Sequence, residues 1–111
     1  AGPVRVEFPH MVTYRGVAKS NRVGTQQYLS PSFKLEFKRD SKKALMEATR
    51  AYARLLADTL PENGATAWLE RSDSRGYTTT LARSEGKATR RDPVSGRVLE
   101  GGWETDWKKA L

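Results

Sequence analysis

The chain of 111 residues contains no cysteine and a single histidine, His10. Without cysteine, disulfide bonds and every zinc site with a thiolate ligand are excluded. One histidine also excludes the zincin motif, in which two imidazoles on one helix bind the metal. We therefore expect neither a metal site nor a cofactor.

Long apolar runs are also missing. The longest fully apolar stretch spans only a few residues, whereas a helix that crosses a membrane needs about 20. The first residues, Ala1-Gly2-Pro3, are followed by no apolar segment of the kind a signal peptide requires. These features predict a cytoplasmic protein that makes no contact with a membrane.

Positive charge is abundant. Lys and Arg number 20 against 13 Asp and Glu, a net charge of +7, and the isoelectric point is near 10.0. This surplus favours association with polyanions, although it says little about the fold. Hydrophobic residues make up only 37% of the chain, which predicts one domain with a modest core.

Alternating apolar and charged residues predict strands over residues 4–8 and 33–37. Further strands are predicted over 65–71 and 77–82, where β-branched and aromatic residues are frequent. Residues 15–27 contain two glycines and show no periodicity, so we expect a flexible loop or a long hairpin connection there.

One helix is predicted over residues 41–60, because its apolar residues recur at spacings of three and four. Asp40 or Ser41 can cap its start, and Pro61 ends it. The order of elements is β-β-α-β-β, typical of an α+β fold in which a long helix packs on one face of a small antiparallel sheet.

The C-terminal part is predicted to add a polar hairpin over residues 87–99, with its turn at 92–96. We place one domain at 1–100 and an extension at 101–111. Trp103 and Trp107 are four residues apart, so a short helical turn would put both on one side. Fold-back of the extension on the domain, contact with a partner and disorder remain alternatives. As candidate contacts to another protein we name Trp103, Trp107 and Leu111.

The open face of the predicted sheet is a weak candidate for nucleic-acid binding. It carries similar numbers of cations and acids, with Trp68 as its large aromatic residue. Affinity for a phosphate backbone rises with the number of phosphates that cations neutralise. A face with so little net charge is therefore a poor binding surface for phosphates. For Trp68 itself we expect either a base-stacking platform or a packed residue.

The surplus cations instead form three groups in the sequence, which we expect to join into one continuous docking surface. Lys42 and Lys43 are notable because cations in the first turn of a helix oppose its dipole. A phosphate contact would account for them, and so would simple solvation. The candidate nucleic-acid contacts are Arg15, Lys19 and Arg22 in the predicted loop, Lys38, Arg39, Ser41, Lys42 and Lys43 around the helix start, and Lys87, Arg90, Arg91 and Arg97 on the predicted hairpin.

Catalysis has little support in the sequence. His10 lies near Glu7, Tyr14 and Arg15, which would suit a ribonuclease that needs no metal. Lone histidines are more often structural or exposed, and the acids show no paired spacing. We expect no catalytic residue and no enzymatic activity.

The sequence therefore predicts a non-enzymatic nucleic-acid-binding domain that contacts the phosphate backbone, with DNA slightly favoured over RNA. The alternative is a small protein-interaction module or inhibitor that docks its basic surface on an acidic partner protein. A homodimer is also compatible with the sequence, because the sheet has two free edges.

Overall fold

A computed structural model describes residues 11–21, 29, 32–59, 61 and 64–108. The strand predicted over residues 4–8, the candidates Arg22 and Leu111, and the pair Glu7 and His10 lie outside these residues. The elements in the described part are β1 (Val12–Ser20), β2 (Phe33–Phe37), α1 (Lys42–Ala57), β3 (Ala65–Asp73), β4 (Thr78–Lys87), β5 (Arg90–Arg91), β6 (Val98–Leu99) and β7 (Gly102–Trp107).

Five of the strands form one sheet in the order β2-β1-β3-β4-β7. Every neighbouring pair in it is antiparallel. The helix α1 covers one face over β1, β2 and β3, and β5 and β6 form a separate two-stranded ribbon. The predicted α+β class, with one helix on an antiparallel sheet, is confirmed.

The helix begins where the sequence predicts and ends earlier. The side chain of Ser41 caps it by accepting a hydrogen bond from the backbone N of Ala44 at 3.1 Å. At the other end the backbone N of Asp58 donates to the carbonyl of Arg54. The spacing of three and four places the buried residues Ala44, Ala48, Tyr52 and Leu55 on the face that meets the sheet.

Part of the buried contact between α1 and the sheet is polar. The hydroxyl of Tyr52 lies 2.6 Å from Ser84 Oγ, and Ser84 Oγ lies 2.7 Å from Thr105 Oγ1. Tyr52 and Ser84 are fully buried. This chain of hydroxyls links α1 to β4 and β7 and gives the buried oxygens hydrogen-bond partners.

The expectation of a loop from residue 15 onward is wrong for its first part, since β1 extends to Ser20. The side of β1 that faces the helix includes Gly16 and Ala18, which pair with Leu69 and Ala67 of β3. These small residues give the strand little hydrophobic signal, although both positions are buried. Arg15 and Lys19 therefore lie on a central strand.

The short helical turn predicted for the two C-terminal tryptophans is also wrong, because Gly102–Trp107 is a strand. It pairs with β4, Trp103 opposite Gly86 and Trp107 opposite Ala82. A spacing of four residues keeps two side chains on one face in a strand as well as in a helix. The prediction that both tryptophans share a side is thus confirmed in a different element.

Candidate nucleic-acid interface

The sheet has two ends that carry different groups of cations. At one end Val12 of β1 pairs with Phe37 and Asp73, and α1 starts shortly after Phe37. At the other end Lys87 of β4 pairs with Gly102 of β7. We call them the helix-start end and the arm end.

The arm comprises residues 88–101 and continues β4 and β7 past the arm end. In it β5 and β6 pair with each other, Arg90 opposite Leu99 and Arg91 opposite Val98. Apart from half-buried Asp92, every residue from 89 to 100 is exposed. The predicted hairpin is confirmed, and the rest of the domain leaves most of its surface open to a ligand.

The turn of the arm is held by Asp92. Its carboxylate accepts a hydrogen bond from the backbone N of Val94 at 2.8 Å, and its own N–H donates to the carbonyl of Arg97 at 2.8 Å. Gly96 closes the turn with a φ of 71°, a left-handed conformation that suits glycine. Backbone hydrogen bonds, first from Val94 and then from Ser95, lower the pKa of Asp92.

The base of the arm is a close crossing of two chain segments. The backbone N of Gly101 donates to Thr89 Oγ1 at 3.1 Å. A Cβ at Gly101 would meet the backbone N of Thr89 at 2.5 Å and come closer still to the carbonyl of Lys87. Glycine is the residue that permits this approach, which sets where the arm leaves the sheet.

Four candidate cations belong to the arm and its root. Arg91 Nη1 donates to the carbonyl of Gly96 at 2.9 Å and so braces the turn. Lys87, Arg90 and Arg97 are exposed. The ion pairs found in the described part of the chain include none of these three side chains.

The helix-start cations are exposed too. Lys38, Arg39, Lys42 and Lys43 take part in none of the ion pairs that the described residues form, and the first turn of α1 contains no acid. The candidate Ser41 is already engaged as the helix cap. A phosphate ligand would have to compete with that hydrogen bond for the Ser41 hydroxyl.

The acid next to this group, Asp40, bonds to residues of the sheet rather than to the lysines. Asp40 accepts hydrogen bonds from Arg71 Nη2 and, at 3.4 Å, from the hydroxyl of Tyr14. Burial, and then the charge of Asp40, raises the pKa of Tyr14. Because Asp40 is paired with Arg71, it offsets little of the charge on Lys42 and Lys43.

The two cations of β1 lie on the open face, opposite the helix. Arg15 Nη1 is 2.9 Å from Glu70 Oε1, so its charge is matched by an acid. Lys19 Nζ lies 5.3 Å from the ring centroid of Trp68, within the range of a cation–π contact. Neither side chain lies in a mobile loop of the kind the sequence predicts.

Acids balance the rest of the open face. The register sets Arg83 opposite Asp106, and Glu85 opposite Glu104. A shallow cleft of about 290 Å³ on this face is lined by Thr66, Trp68, Thr80 and Arg83. Arg83 is not among the candidates predicted from the sequence, because the face on which it lies depends on the register of β4. The near-neutral open face expected from the sequence is what the strand register gives.

The structure therefore does not bring the three groups of cations into one surface. The arm extends from one end of the sheet, and the helix-start cations lie at the other. Strand β1 has nine residues, and a strand of that length spans about 30 Å. The continuous surface expected from the sequence is wrong, since the antiparallel order places the helix start and the arm at opposite ends.

Trp103 and Trp107, two of the residues named as candidate contacts to another protein, differ in how much of the side chain packs against the domain. Trp103 is half-buried, and its Nε1 donates to the carbonyl of Thr59 at 3.0 Å. Trp107 packs edge-on against Tyr52, with ring centroids 5.9 Å apart, and stays 49% exposed. Trp103 thus anchors β7 to the domain, whereas half of Trp107 is open to a partner.

Comparison with known proteins gives no relative: no family model, curated protein or solved structure matches the chain. Within the described residues, no helix is long and apolar enough to cross a membrane.

Proposed function

We propose that this chain is a non-enzymatic nucleic-acid-binding domain that holds the phosphate backbone of duplex DNA with its arm. The observation that carries the proposal is the exposure of Lys87, Arg90 and Arg97 on and beside a ribbon that extends past the sheet. Of the two acids in the arm, Asp92 is bound to turn amides. Together with Arg91, the arm and its root hold four cations against the two acids Asp92 and Glu100, so a phosphate meets a net positive charge.

The shape of the arm favours a duplex with B-form grooves. The major groove of B-DNA is wide enough for a two-stranded ribbon, and ribbons are known readers of both grooves. Side chains cannot read the deep, narrow major groove of A-form RNA. For this reason duplex DNA fits an exposed ribbon better than duplex RNA does.

The helix-start cations supply a second contact in this proposal. They lie about 30 Å from the arm end along β1, close to the length of one turn of B-DNA, about 34 Å. A duplex longer than one turn could meet both groups, whereas a shorter one would meet only the arm. Replacing Lys42 and Lys43 with Ala should therefore weaken binding of long duplexes and leave short duplexes unaffected.

An acidic protein is the second candidate ligand. It is favoured by the exposure of Val98 and Leu99, which are 47% and 36% exposed on the same ribbon as the arginines. Apolar residues among cations are also typical of a surface that docks on another protein. In that case the arm would bind its partner through both its charge and its apolar side chains.

A homodimer would use another part of the molecule. Strands β2 and β7 are the edges of the five-stranded sheet, and an unpaired edge can accept a strand of a second copy. Light scattering over a range of concentrations tests this, since pairing at an edge would double the mass.

Titration with labelled duplex DNA, single-stranded DNA and RNA at two salt concentrations tests the proposed function. Fluorescence anisotropy should show the tightest binding for duplex DNA and a steep loss of affinity at the higher salt concentration. Absence of binding to all three at low salt would contradict the proposal and leave the acidic protein as the ligand.

A further inference from the structure

The tip of the arm is formed by two apolar residues, Pro93 and Val94, and both are exposed. Val94 follows Pro93 at the turn and is 95% exposed. The nearest strand residues of the arm, Arg91 and Val98, belong to the ribbon behind the tip.

The tip is nevertheless held in one shape. Asp92 binds the backbone N of Val94 through its side chain, and its carbonyl accepts from the backbone N of Gly96 at 2.9 Å. Arg91 donates to the carbonyl of Gly96 from the adjacent strand. An ordered tip loses less conformational entropy on binding than a flexible loop would.

We infer that Pro93 and Val94 form a wedge that inserts between two stacked base pairs of duplex DNA. This inference rests on the proposed function and names what the tip does once the arm is on its ligand. Apolar side chains, proline among them, enter base steps in this way and kink the duplex. The exposed Arg90 and Arg97, just behind the tip, are placed to hold the phosphates on either side.

A wedge predicts a preference that phosphate contacts alone do not. Inserting a side chain requires unstacking, which costs about a few kcal/mol per step in intact DNA. A duplex with a one-nucleotide gap has lost that stacking already. The protein should therefore bind gapped duplex roughly tenfold or more tightly than intact duplex of the same length and sequence.

Val94→Ser tests the wedge, because it replaces one of the two apolar side chains of the tip, the one that is 95% exposed, with a polar one and leaves the charge unchanged. Val98→Ser is the matched control, since it makes the same substitution on the same arm away from the tip. Wild type and V98S should prefer the gapped duplex, and V94S should bind both duplexes nearly alike. V94S should also lose the DNA bend, measured by energy transfer between dyes at the duplex ends.

Failure of the wedge is distinguishable from failure of the proposed function. If wild type binds duplex with steep salt dependence but shows no preference for the gap, the wedge is wrong and phosphate binding stands. A preference retained by V94S, or lost equally by V94S and V98S, also overturns it. If wild type binds no duplex at low salt, both the wedge and the proposed function are wrong.

Discussion

The ring of Phe33 fills the space beside Gly16 that any other residue would need for its Cβ. The two residues lie opposite each other on β2 and β1, and Gly16 is buried. An aromatic ring packed over a glycine on the next strand helps fix strand register. The contact between Phe33 and Gly16 therefore helps to fix the position of the edge strand β2 beside the central strand β1.

Gly16→Ala is expected to destabilise the fold by about 1–3 kcal/mol, as overpacking in a filled core does. The added methyl group would collide with the ring of Phe33. Urea unfolding of wild type, G16A, F33L and the double variant measures this. Because Phe33→Leu makes room, the double variant should lose less stability than the sum of the single changes; strict additivity would contradict the account.

The chain of hydroxyl hydrogen bonds through Ser84 predicts that Ser84→Ala lowers stability more than Tyr52→Phe does. Ser84→Ala leaves the buried hydroxyl of Tyr52 without its partner, which costs about 1–3 kcal/mol. Tyr52→Phe leaves Ser84 bonded to Thr105, so its cost should be nearer about 1 kcal/mol. Chemical denaturation compares the two variants, and a larger loss for Y52F than for S84A would rule out this assignment.

Tyr52 also predicts how stability changes at alkaline pH. Burial raises the pKa of Tyr52, so the folded state disfavours the phenolate. The contribution of neutral Tyr52 to the free energy of unfolding is fully present below the pKa of about 10 of an unfolded tyrosine. This contribution is lost as pH rises through the higher pKa of the folded state. Between about pH 9 and 11, Y52F should lose less stability than wild type; parallel curves would contradict the prediction.

Asp92 predicts the opposite pH dependence for the arm. Backbone hydrogen bonds lower the pKa of Asp92, so its support of the turn is present above the unfolded value of about 3.9. That support is lost as pH falls through the lower folded value. The protection factor of the Val94 amide, measured by hydrogen exchange relative to the intrinsic rate at each pH, should fall as pH drops through that value.

Two substitutions at Asp92 separate geometry from charge. Asp92→Ala removes the acceptor of the Val94 amide and should speed its exchange at neutral pH. Asp92→Asn retains a side-chain oxygen and should protect the amide better than Ala. Because D92N also removes a negative charge, it should bind DNA at least as tightly as wild type. Weaker binding of D92N with a protected amide would contradict the role assigned to the arm charge.

Local signals in the sequence were sufficient for the helix and for the hairpin. Apolar spacing marks α1, and the run Asp92-Pro93-Val94-Ser95-Gly96 supplies a turn with an acceptor at its start and glycine at its end. The extent of β1 was not predictable in the same way, because Gly16 contributes no hydrophobic signal although an aromatic ring covers it.

The arrangement of the cations depends on strand order, which local patterns do not contain. Lys43 and Arg90 both belong to basic stretches of the sequence. The pairing of β1 with both β2 and β3 sends the helix start to one end of the sheet and the arm to the other. The residues of each group were identifiable from sequence, whereas their separation required the fold.

The most direct measurement is the salt dependence of binding to a duplex of about 20 base pairs for wild type and R90Q/R97Q. Each phosphate contact contributes about 0.9 to the slope of log affinity against log salt concentration. The control R50Q/R54Q removes the same charge from two exposed residues of α1. We predict that the slope falls by about 1.8 in the arm variant and stays unchanged in the control. Equal slopes in wild type and the arm variant would contradict the account.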